Sequence, residues 1–334
     1  MKLTIKDIAR LAEVSTATVS MILNNKDGNI SALTREKVLR IVKENNYIPN
    51  TMARSLVTRQ TKTIGLVIPD IANPFFPELA RGAEDKASEA GYSIIYCNTD
   101  DDLDKEDKYI NMLAEKMVDG IVFTHSARRS GKMEAIDRGT IPVILIDRDI
   151  ESSNVKGKVL VDNLEGAYKG VKHLVDRGYK KIAFIIGALI SNTAKDRHAG
   201  YRKALEESGL KYDPNYVKAG QYKSEWGFIA IKQLLEEGID FDAVFCGNDL
   251  IAISVIKALK NQGIRIPQDV AVLGFDDIYM ASVVEPPLTT VKQPNYEMGY
   301  KAVELLLEVL EAPNKELENG RIILNTELIV RSST

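Results

Sequence analysis

From residue 64 onward, short apolar runs alternate with longer segments of helical pattern, and this alternation restricts the fold more than any other feature of the chain. Strands separated by crossover helices pair in parallel, and the helices cover both faces of the sheet. The apolar runs are residues 64–68, 92–97, 120–123, 143–146, 181–186, 243–246 and 270–275. The sequence therefore predicts an α/β fold of doubly wound parallel sheets.

The order of these segments repeats loosely along the chain. Residues 81–91, which follow the first run, resemble residues 199–209, which follow the run at 181–186. The simplest account is a body of two similar lobes, with a ligand cleft where the carboxyl ends of their strands face each other. A chain of 334 residues has room for two such lobes and a small additional head.

Several properties of the sequence predict a cytoplasmic protein without a membrane partner. No apolar run approaches the roughly 20 residues that a membrane span needs, and charged residues near the N-terminus interrupt the apolar core of any signal peptide. Cys97 and Cys246 lie near the ends of apolar runs in separate halves of the chain. We therefore expect two buried thiols and no disulfide.

The first 24 residues have the pattern of a helix-turn-helix. The apolar residues of segment 5–12 fall on one face of a helix, a turn is expected at residues 13–14, and Ser15 is a good N-cap for a second helix. Packing against the first helix is expected for Val19, Ile22 and Leu23. The opposite face carries Thr16, Ala17, Ser20 and Met21, which a recognition helix would present to a major groove.

A third helix and a local charge excess favour DNA binding over an ordinary helical hairpin, which the first two helices alone would fit about as well. Thr34 is expected to cap the third helix, whose Val38, Ile41 and Val42 would close a small core. Residues 1–60 contain ten Lys or Arg against five Asp or Glu, although the whole chain has a net charge of −3. Such a local basic excess is typical of a module that faces phosphates.

Four short motifs resemble those of the lac repressor family of bacterial regulators. The chain has TIKDIA at residues 4–9, VSTATVS at 14–20, YIPN at 47–50 and ARSL at 53–56. The similarity extends over the whole chain, and within the family the body is most similar to ribose repressors and to the periplasmic ribose-binding protein. The resemblance implies a homodimer that binds a near-palindromic DNA operator under the control of a small sugar.

The resemblance also implies three segments and a chain path through the body. They are a helix-turn-helix head at residues 1–49, a hinge helix and linker at 50–61, and a two-lobed effector-binding and dimerisation domain at 62–334, similar to type I periplasmic binding proteins. In this scheme the N-lobe contains residues 62–160 and 291–320, and the C-lobe contains 161–290 and the tail. Three crossings would join the lobes.

The same resemblance assigns the DNA contacts to the head and the hinge. Segment 50–56 would fold into a helix on DNA, where Leu56 would insert between base pairs of the minor groove and kink the duplex. Met21 stands where many relatives carry Arg or His, and it can contact a thymine methyl but not make a bidentate contact to guanine. The assigned residues are Thr4, Ser15, Thr16, Ala17, Thr18, Ser20, Met21, Asn24, Tyr47, Asn50, Ala53, Arg54 and Leu56.

Polar and aromatic residues cluster at the carboxyl ends of the predicted strands or on a crossing segment. A small sugar needs such a mixture, because carboxylates, guanidinium groups and amides hydrogen-bond its hydroxyls while aromatic faces cover its C–H side. Singly, Phe75 and Phe76 would also suit a core, Asp147 with Arg148 a surface ion pair, and residues 276–277 a helix cap. The set is Asn73, Phe75, Phe76, Asp147, Arg148, Arg197, Asn248, Asp276 and Gln293.

Each of these nine residues occupies a position that contacts the pentose in ribose-binding proteins, according to the resemblance. Tyr222 stands where those relatives carry a Phe that packs on the sugar. The resemblance therefore implies that D-ribose is the effector, with another monosaccharide as the second choice.

Three alternative functions remain. A sugar-processing enzyme is disfavoured because the three histidines lack metal-ligand spacing and the chain has neither a Gly-rich phosphate loop nor a nucleophile elbow. We accordingly expect no catalytic residue, no metal and no cofactor. A transport binding protein would need a signal peptide and no head. A repressor controlled by a phosphoprotein corepressor would not need the polar cleft.

The Leu56→Ala substitution is expected to weaken binding to the specific operator more than binding to non-specific DNA. The wedge contributes only where the hinge helices have formed and the duplex is kinked, at a cost of a few kcal/mol of unstacking. Titrating wild type and variant against operator and scrambled duplexes measures this difference. An equal loss on both duplexes would contradict the wedge assignment.

Overall fold

The computed structural model describes residues 3–47, 60–129, 133–150, 152, 154–313 and 317–334. The chain divides into two compact units, Met1–Thr61 and Lys62–Thr334. In the first unit, three helices surround a small apolar core. They are α1 (Ile5–Ala12), α2 (Thr16–Leu23) and α3 (Ala32–Glu44), and the core consists of Ile8, Ala9, Ala12, Val19, Ile22 and Val38.

The turns and caps of the head follow the predicted pattern with one correction. Glu13 adopts a left-handed conformation (φ 56°) between α1 and α2, and the Ser15 hydroxyl caps α2 by accepting from the Thr18 N–H at 3.0 Å. The prediction that Thr34 caps α3 is wrong. Ser31 is the N-cap, because its backbone is extended and its hydroxyl accepts from the N–H of Thr34, which already lies in the first turn.

Three of the residues predicted for this core are only half-buried at its edge: Leu23, Ile41 and Val42. Val19 and Ile22 are fully buried, as predicted.

The N-lobe of the second unit contains a six-stranded parallel sheet in the order β11-β5-β4-β3-β1-β2. Its elements are β1 (Thr63–Ile68), α4 (Phe75–Glu89), β2 (Ser93–Asn98), α5 (Leu103–Glu115), β3 (Gly120–Phe123), α6 (Glu134–Asp137), β4 (Val143–Ile146), β5 (Val155–Val161), α12 (Asn295–Glu311) and β11 (Arg321–Leu324).

The C-lobe contains a second six-stranded sheet in the order β12-β10-β9-β8-β6-β7, parallel except for β12. Its elements are α7 (Asn163–Asp176), β6 (Ile182–Gly187), α8 (Asn192–Glu207), a short 3₁₀ turn (Pro214–Tyr216), β7 (Val217–Gly220), α9 (Ser224–Glu236), β8 (Ala243–Cys246), α10 (Asp249–Asn261), β9 (Ala271–Asp276), α11 (Tyr279–Val283), β10 (Thr289–Lys292) and β12 (Glu327–Ile329).

The chain crosses between the lobes after β5, after β10 and after β11. These three crossings were expected from the family resemblance, but three bounds differ from it. Val161 is still part of β5 in the N-lobe sheet. Residues 321–324 form β11 at the edge of the N-lobe sheet, beyond the expected limit of 320. Residues 291–292 still belong to β10 of the C-lobe. The difference arises because backbone pairing at the sheet edge, not the pattern of apolar residues, decides which sheet takes these short segments.

Glycines at matching positions of the two repeated segments, 81–91 and 199–209, have the same packing role in each lobe. A Cβ at Gly82 of α4 would lie 2.0 Å from the carbonyl oxygen of Tyr296 in α12, and a Cβ at Gly200 of α8 would lie 2.2 Å from that of Leu164 in α7. Each lobe therefore brings two helices into backbone contact at the same point of the repeat. Glycines 91 and 209, which follow these helices, both have a positive φ, of 72° and 73°.

The structure also bears on the predictions of two buried thiols and of no membrane span. Cys97 and Cys246 are both buried and free. Among the residues that the structure describes, no helix combines the length and the apolar content that crossing a membrane would require.

Substituting Gly299→Ala in α12 is expected to destabilise the body by about 2 kcal/mol or more, because the new methyl group would lie 1.9 Å from the carbonyl oxygen of Leu79 and force the helices apart. Gly320→Ala is the matched control, since its nearest neighbour would be at 3.5 Å. Thermal and urea unfolding of both variants measure the effect. Equal stability of the two variants would rule out close helix contact as a constraint.

Candidate ligand cleft and nucleic-acid interface

The carboxyl ends of strands from both lobes meet at one cleft, whose volume is about 940 Å³ including its open mouth. All ten residues selected from the sequence line it: Asn73, Phe75, Phe76, Asp147, Arg148, Arg197, Tyr222, Asn248, Asp276 and Gln293.

Arg197, on α8, is fixed by three contacts and is only 4% exposed. Its Nε donates to Asn163 Oδ1 at 2.8 Å, and its Nη1 donates to the carbonyl oxygen of Gly247 at 2.5 Å. The guanidinium carbon lies 3.7 Å from the ring centroid of Phe275. These contacts hold the guanidinium plane in one orientation at the cleft wall, as a group that recognises hydroxyls requires.

Arg148, which follows β4, is held from the N-lobe side. Its Nη1 donates to the carbonyl oxygen of His125 at 2.6 Å and lies 3.5 Å from Asp101 Oδ1. Its Nε lies 3.5 Å from Asp147 Oδ2, at ion-pair distance, but has no hydrogen-bond partner among the described residues. Both side chains of this pair are less than 10% exposed. The alternative that Asp147 and Arg148 form a surface ion pair is therefore wrong.

Burial raises the pKa of the two buried carboxyls of the cleft, Asp147 and Asp276. For Asp147, Arg148 and then Arg197 counteract this effect of desolvation. Desolvation raises the pKa of Asp276 to about 7, against the opposing effects of Arg197 and of a 2.7 Å hydrogen bond from Gln293 Nε2. The two carboxyls and the two guanidinium groups thus form one buried set of interacting charges.

Three buried polar atoms of the cleft have no hydrogen-bond partner among the described residues. They are Arg148 Nε, Tyr222 Oη and Gln293 Oε1. A buried polar group without a partner costs about 1–3 kcal/mol, so three of them in one cavity indicate that a polar ligand or ordered water supplies the missing bonds.

The aromatic pair and the loop before it serve both the core and the cleft. Phe75 and Phe76 are edge-to-face at 4.9 Å between centroids, belong to the N-lobe core and also line the cavity. Asn73 Oδ1 accepts from the Phe75 N–H at 3.2 Å and so orders the loop that begins α4.

In the head, the exposed face of α2 agrees with the expected recognition surface. Thr16, Ala17 and Met21 are exposed and Ser20 is half-buried, with Met21 48% exposed. The hydroxyls of Ser15 and Thr18 bond each other at 2.9 Å, and Asn24 Nδ2 donates to the carbonyl oxygen of Ser20 at 2.7 Å. Thr4 donates to Asp7 and starts α1, and Tyr47 packs beside the head core. The predicted hinge residues Asn50, Ala53, Arg54 and Leu56 lie outside the described residues.

Two family models match the chain and together cover most of it. A model of bacterial regulatory proteins of the lacI family matches residues 4–50, and a model of periplasmic binding proteins and the sugar binding domain of the LacI family matches residues 61–331. The chain belongs to the LacI family of bacterial regulatory proteins. The resemblance stated from the motifs and the predicted fold class are both confirmed.

Relatives that span the whole chain carry the names of transcriptional regulators. RegA of Clostridium saccharobutylicum is 41% identical, over 100% of both chains. PurR of Vibrio atlanticus is 40% identical, over 99% of this chain and 98% of its own. The ribose operon repressor of Halalkalibacterium halodurans is 39% identical, over 99% of this chain and 97% of its own. These names argue against the enzyme alternative for this LacI-family protein.

Two solved structures show the same architecture. The Lac repressor dimer bound to its operator and the anti-inducer ONPF superposes with a TM-score of 0.86, at 27% identity, over 100% of this chain and 99% of that one. A LacI-family regulator of Enterococcus faecium with bound ribose superposes with a TM-score of 0.73, at 29% identity, over 81% of this chain and 98% of that one.

The site residues selected from the sequence of this LacI-family protein do not include one buried carboxyl or several further residues that line the cleft. Asp249 is fully buried, accepts from the Thr290 hydroxyl at 2.6 Å and from the Ile278 N–H at 2.9 Å, and has a raised pKa because of desolvation and of Asp276. It follows Asn248 directly, so the strand-end rule marks its position. Further missed residues line the rim: Asp70, Asp100, Asp101, Arg128, Thr193, Gln221 and Lys223.

The alternative that residues 276–277 merely cap a helix is wrong. Helix α11 starts after Ile278 and has no side-chain cap. Asp277 instead forms an ion pair with Arg331 at 2.7 Å, while Asp276 lines the cleft.

Replacing Asp276 by Asn is expected to reduce the loss of stability with rising pH. Asp276 binds its proton more tightly in the folded protein, with a pKa of about 7, than at its ordinary value of 3.8. Its contribution to stability is therefore full below about pH 4 and is lost as the pH rises to about 7. Between pH 5 and pH 8 the wild type should lose about 1–3 kcal/mol relative to Asp276→Asn.

Urea unfolding at a series of pH values tests this prediction. Asp104→Asn, at an exposed position in the first turn of α5, is the control and should follow the wild type. Parallel pH profiles for wild type and Asp276→Asn would show that the Asp276 carboxyl is already ionised throughout this range.

Proposed function

We propose that this protein is a transcriptional repressor that binds a near-palindromic operator as a homodimer and responds to a small neutral sugar, first of all D-ribose, in the interlobe cleft. The observation that carries the proposal is the buried polar lining of the cleft, with its fixed guanidinium groups, two carboxyls and three unpaired polar atoms. Hydroxyl groups can donate to carboxylates and accept from guanidinium groups, so a polyol satisfies both kinds of partner.

Two relatives support ribose within this class of ligand. One is named a ribose operon repressor, and one solved regulator of the family contains bound ribose. Another monosaccharide is the second candidate, because the aromatic rings of residues 75, 76 and 222 would cover the C–H face of any small sugar.

The exposed face of α11 supports the homodimer. Tyr279, Met280 and Val283 are 79%, 37% and 60% exposed, which is unusual for side chains of this size on one short helix. The helix follows directly on Asp276 of the cleft, and the intervening Ile278 packs into the N-lobe core. The segment before α11 thus contacts both lobes, so we expect a ligand that moves the lobes to alter the position of α11.

The proposed switch acts through population shift. A sugar that binds the closed cleft more tightly than the open cleft favours the closed body, and the paired hinges at residues 50–56 then separate and release DNA. A segment that folds only on DNA suits this role, since small changes of geometry decide whether it can fold.

Operator affinity measured with and without saturating D-ribose tests the function. We expect ribose to weaken operator binding at least tenfold and to leave non-specific binding unchanged. Tighter binding would make ribose a corepressor, and unchanged affinity would refute control by ribose. Parallel titrations with D-xylose and D-glucose, and with a phosphoprotein, distinguish the alternatives of another monosaccharide and of a phosphoprotein corepressor.

Asn248→Ser is expected to abolish stabilisation by D-ribose without unfolding the protein. The Asn248 Oδ1 caps α10 by accepting from the Ile251 N–H at 2.9 Å, and a serine hydroxyl retains that cap while the amide group is lost from the cleft. At a hundredfold excess over its dissociation constant, ribose should stabilise the wild type by about 2.7 kcal/mol. Thermal unfolding with a panel of pentoses and hexoses measures the response.

The matched control is Asp102→Ser, which exchanges the N-cap of α5 outside the cleft lining. It should keep the full response to ribose. If D-ribose stabilises Asn248→Ser as much as it stabilises the control, Asn248 is not part of the ligand site.

A further inference from the structure

The ring of Tyr222 has one fixed place in the cleft. It follows β7 and covers Gly187 at the end of β6, where an added Cβ would lie 2.3 Å from the ring carbons. Only glycine at position 187 leaves room for this packing. The ring also contacts apolar side chains of the C-lobe core. The position of the phenolic oxygen is therefore set by the end of the sheet and not by a flexible loop.

The hydroxyl of Tyr222 is buried without a hydrogen-bond partner among the described residues. Burial raises the pKa of Tyr222, and the charges of Arg197, Arg148, Asp147 and Asp276 all act on its hydroxyl. The group is thus protonated at neutral pH and faces the charged set of the cleft. A buried hydroxyl without a hydrogen-bond partner destabilises the folded protein, so we expect a ligand to supply the partner.

The charges around the cleft disfavour an anionic ligand. Five aspartates and the four cations Arg128, Arg148, Arg197 and Lys223 line it. The two buried cations are committed, since Arg197 bonds Asn163 and Gly247 while Arg148 bonds the carbonyl oxygen of His125. A phosphate or carboxylate on the ligand would therefore lie beside the buried carboxyls Asp147 and Asp276, while the two buried guanidinium groups already donate to protein acceptors.

The three unpaired atoms define complementary groups on the ligand. Gln293 Oε1 can only accept, Arg148 Nε can only donate, and the Tyr222 hydroxyl can do either. A neutral molecule with at least three hydroxyl groups satisfies all of them at once, because each hydroxyl is both a donor and an acceptor.

We propose that Tyr222 determines specificity through its hydroxyl, which bonds one particular hydroxyl of an uncharged polyol and so selects against analogues that lack that hydroxyl or carry a phosphate. The inference rests on the proposed function and deepens it. A site with a buried polar partner discriminates strongly against a ligand that leaves the partner unpaired. The aromatic face of residue 222 alone would not distinguish a sugar from its deoxy analogue, because the face makes no hydrogen bond to the hydroxyl.

The experiment compares wild type with Tyr222→Phe, which keeps the ring on Gly187 and removes only the hydroxyl. The best-binding neutral sugar is first chosen by calorimetry from D-ribose, D-xylose, D-glucose and D-galactose. Affinities are then measured for each monodeoxy analogue of that sugar and for its phosphate ester. Tyr168→Phe is the control, because that hydroxyl bonds Glu207 on an exposed helix pair outside the cleft.

We expect Tyr222→Phe to bind the sugar about 5- to 100-fold more weakly than wild type, and Tyr168→Phe to match wild type. For one analogue, the loss of affinity that deoxygenation causes in wild type should disappear in Tyr222→Phe, since the two changes remove the same hydrogen bond. The phosphate ester should bind more weakly than its parent sugar.

Three other results would overturn the inference, and they separate it from the proposed function. If a sugar binds but every deoxy analogue loses the same affinity in wild type and in Tyr222→Phe, specificity through the hydroxyl is wrong and sugar control stands. If the phosphate ester binds more tightly than the parent sugar, selection for an uncharged ligand is wrong. If no neutral sugar binds wild type, both the inference and the proposed function fail.

Discussion

The buried guanidinium of Arg197 is the interaction on which the rest of the cleft depends. It joins Asn163 at the first crossing between the lobes, Gly247 at the end of β8 and the ring of Phe275 in β9. A buried charge is tolerated only when its hydrogen bonds are satisfied and an opposite charge is near. Arg197 therefore requires Asp147 and Asp276 as well as the three contacts, and these requirements fix the ends of several strands at once.

The two lobes obey one packing rule, and both contribute to the cleft. Gly82 and Gly200 allow one helix pair in each lobe to approach at backbone distance. Strand ends of both lobes line the same cavity. At the edge of that cavity, Asp249 bonds the Ile278 N–H, and the Ile278 side chain packs in the N-lobe core. The ligand site and the contact between the lobes thus share one short segment.

Most central strands were predictable, whereas the interior strands β5 and β10 and three of the four edge strands were not. Strands such as β3, β4, β6, β8 and β9 are buried along their whole length, so they form continuous apolar runs in the sequence. The edge strands β7, β11 and β12 are partly exposed and contain mixed residues, which leaves no periodic signal. Because Gln221 and Lys223 follow β7, missing that strand also concealed them. The Ser31 cap was missed because Ser31 and Thr34 are both good caps, and only the backbone conformation distinguishes them.

The sequence by itself determined the class of the fold, the helix-turn-helix head and which residue types stand at the ends of the buried strands, because apolar periodicity and strand-end position are local properties of the chain. Only the tertiary structure decided that ten such residues share one cavity, that Arg148 Nε, Tyr222 Oη and Gln293 Oε1 are buried there without partners, and that Asp276 holds its proton near neutral pH. Desolvation and hydrogen-bond satisfaction depend on groups far apart in the chain, and no local pattern records which of them will meet.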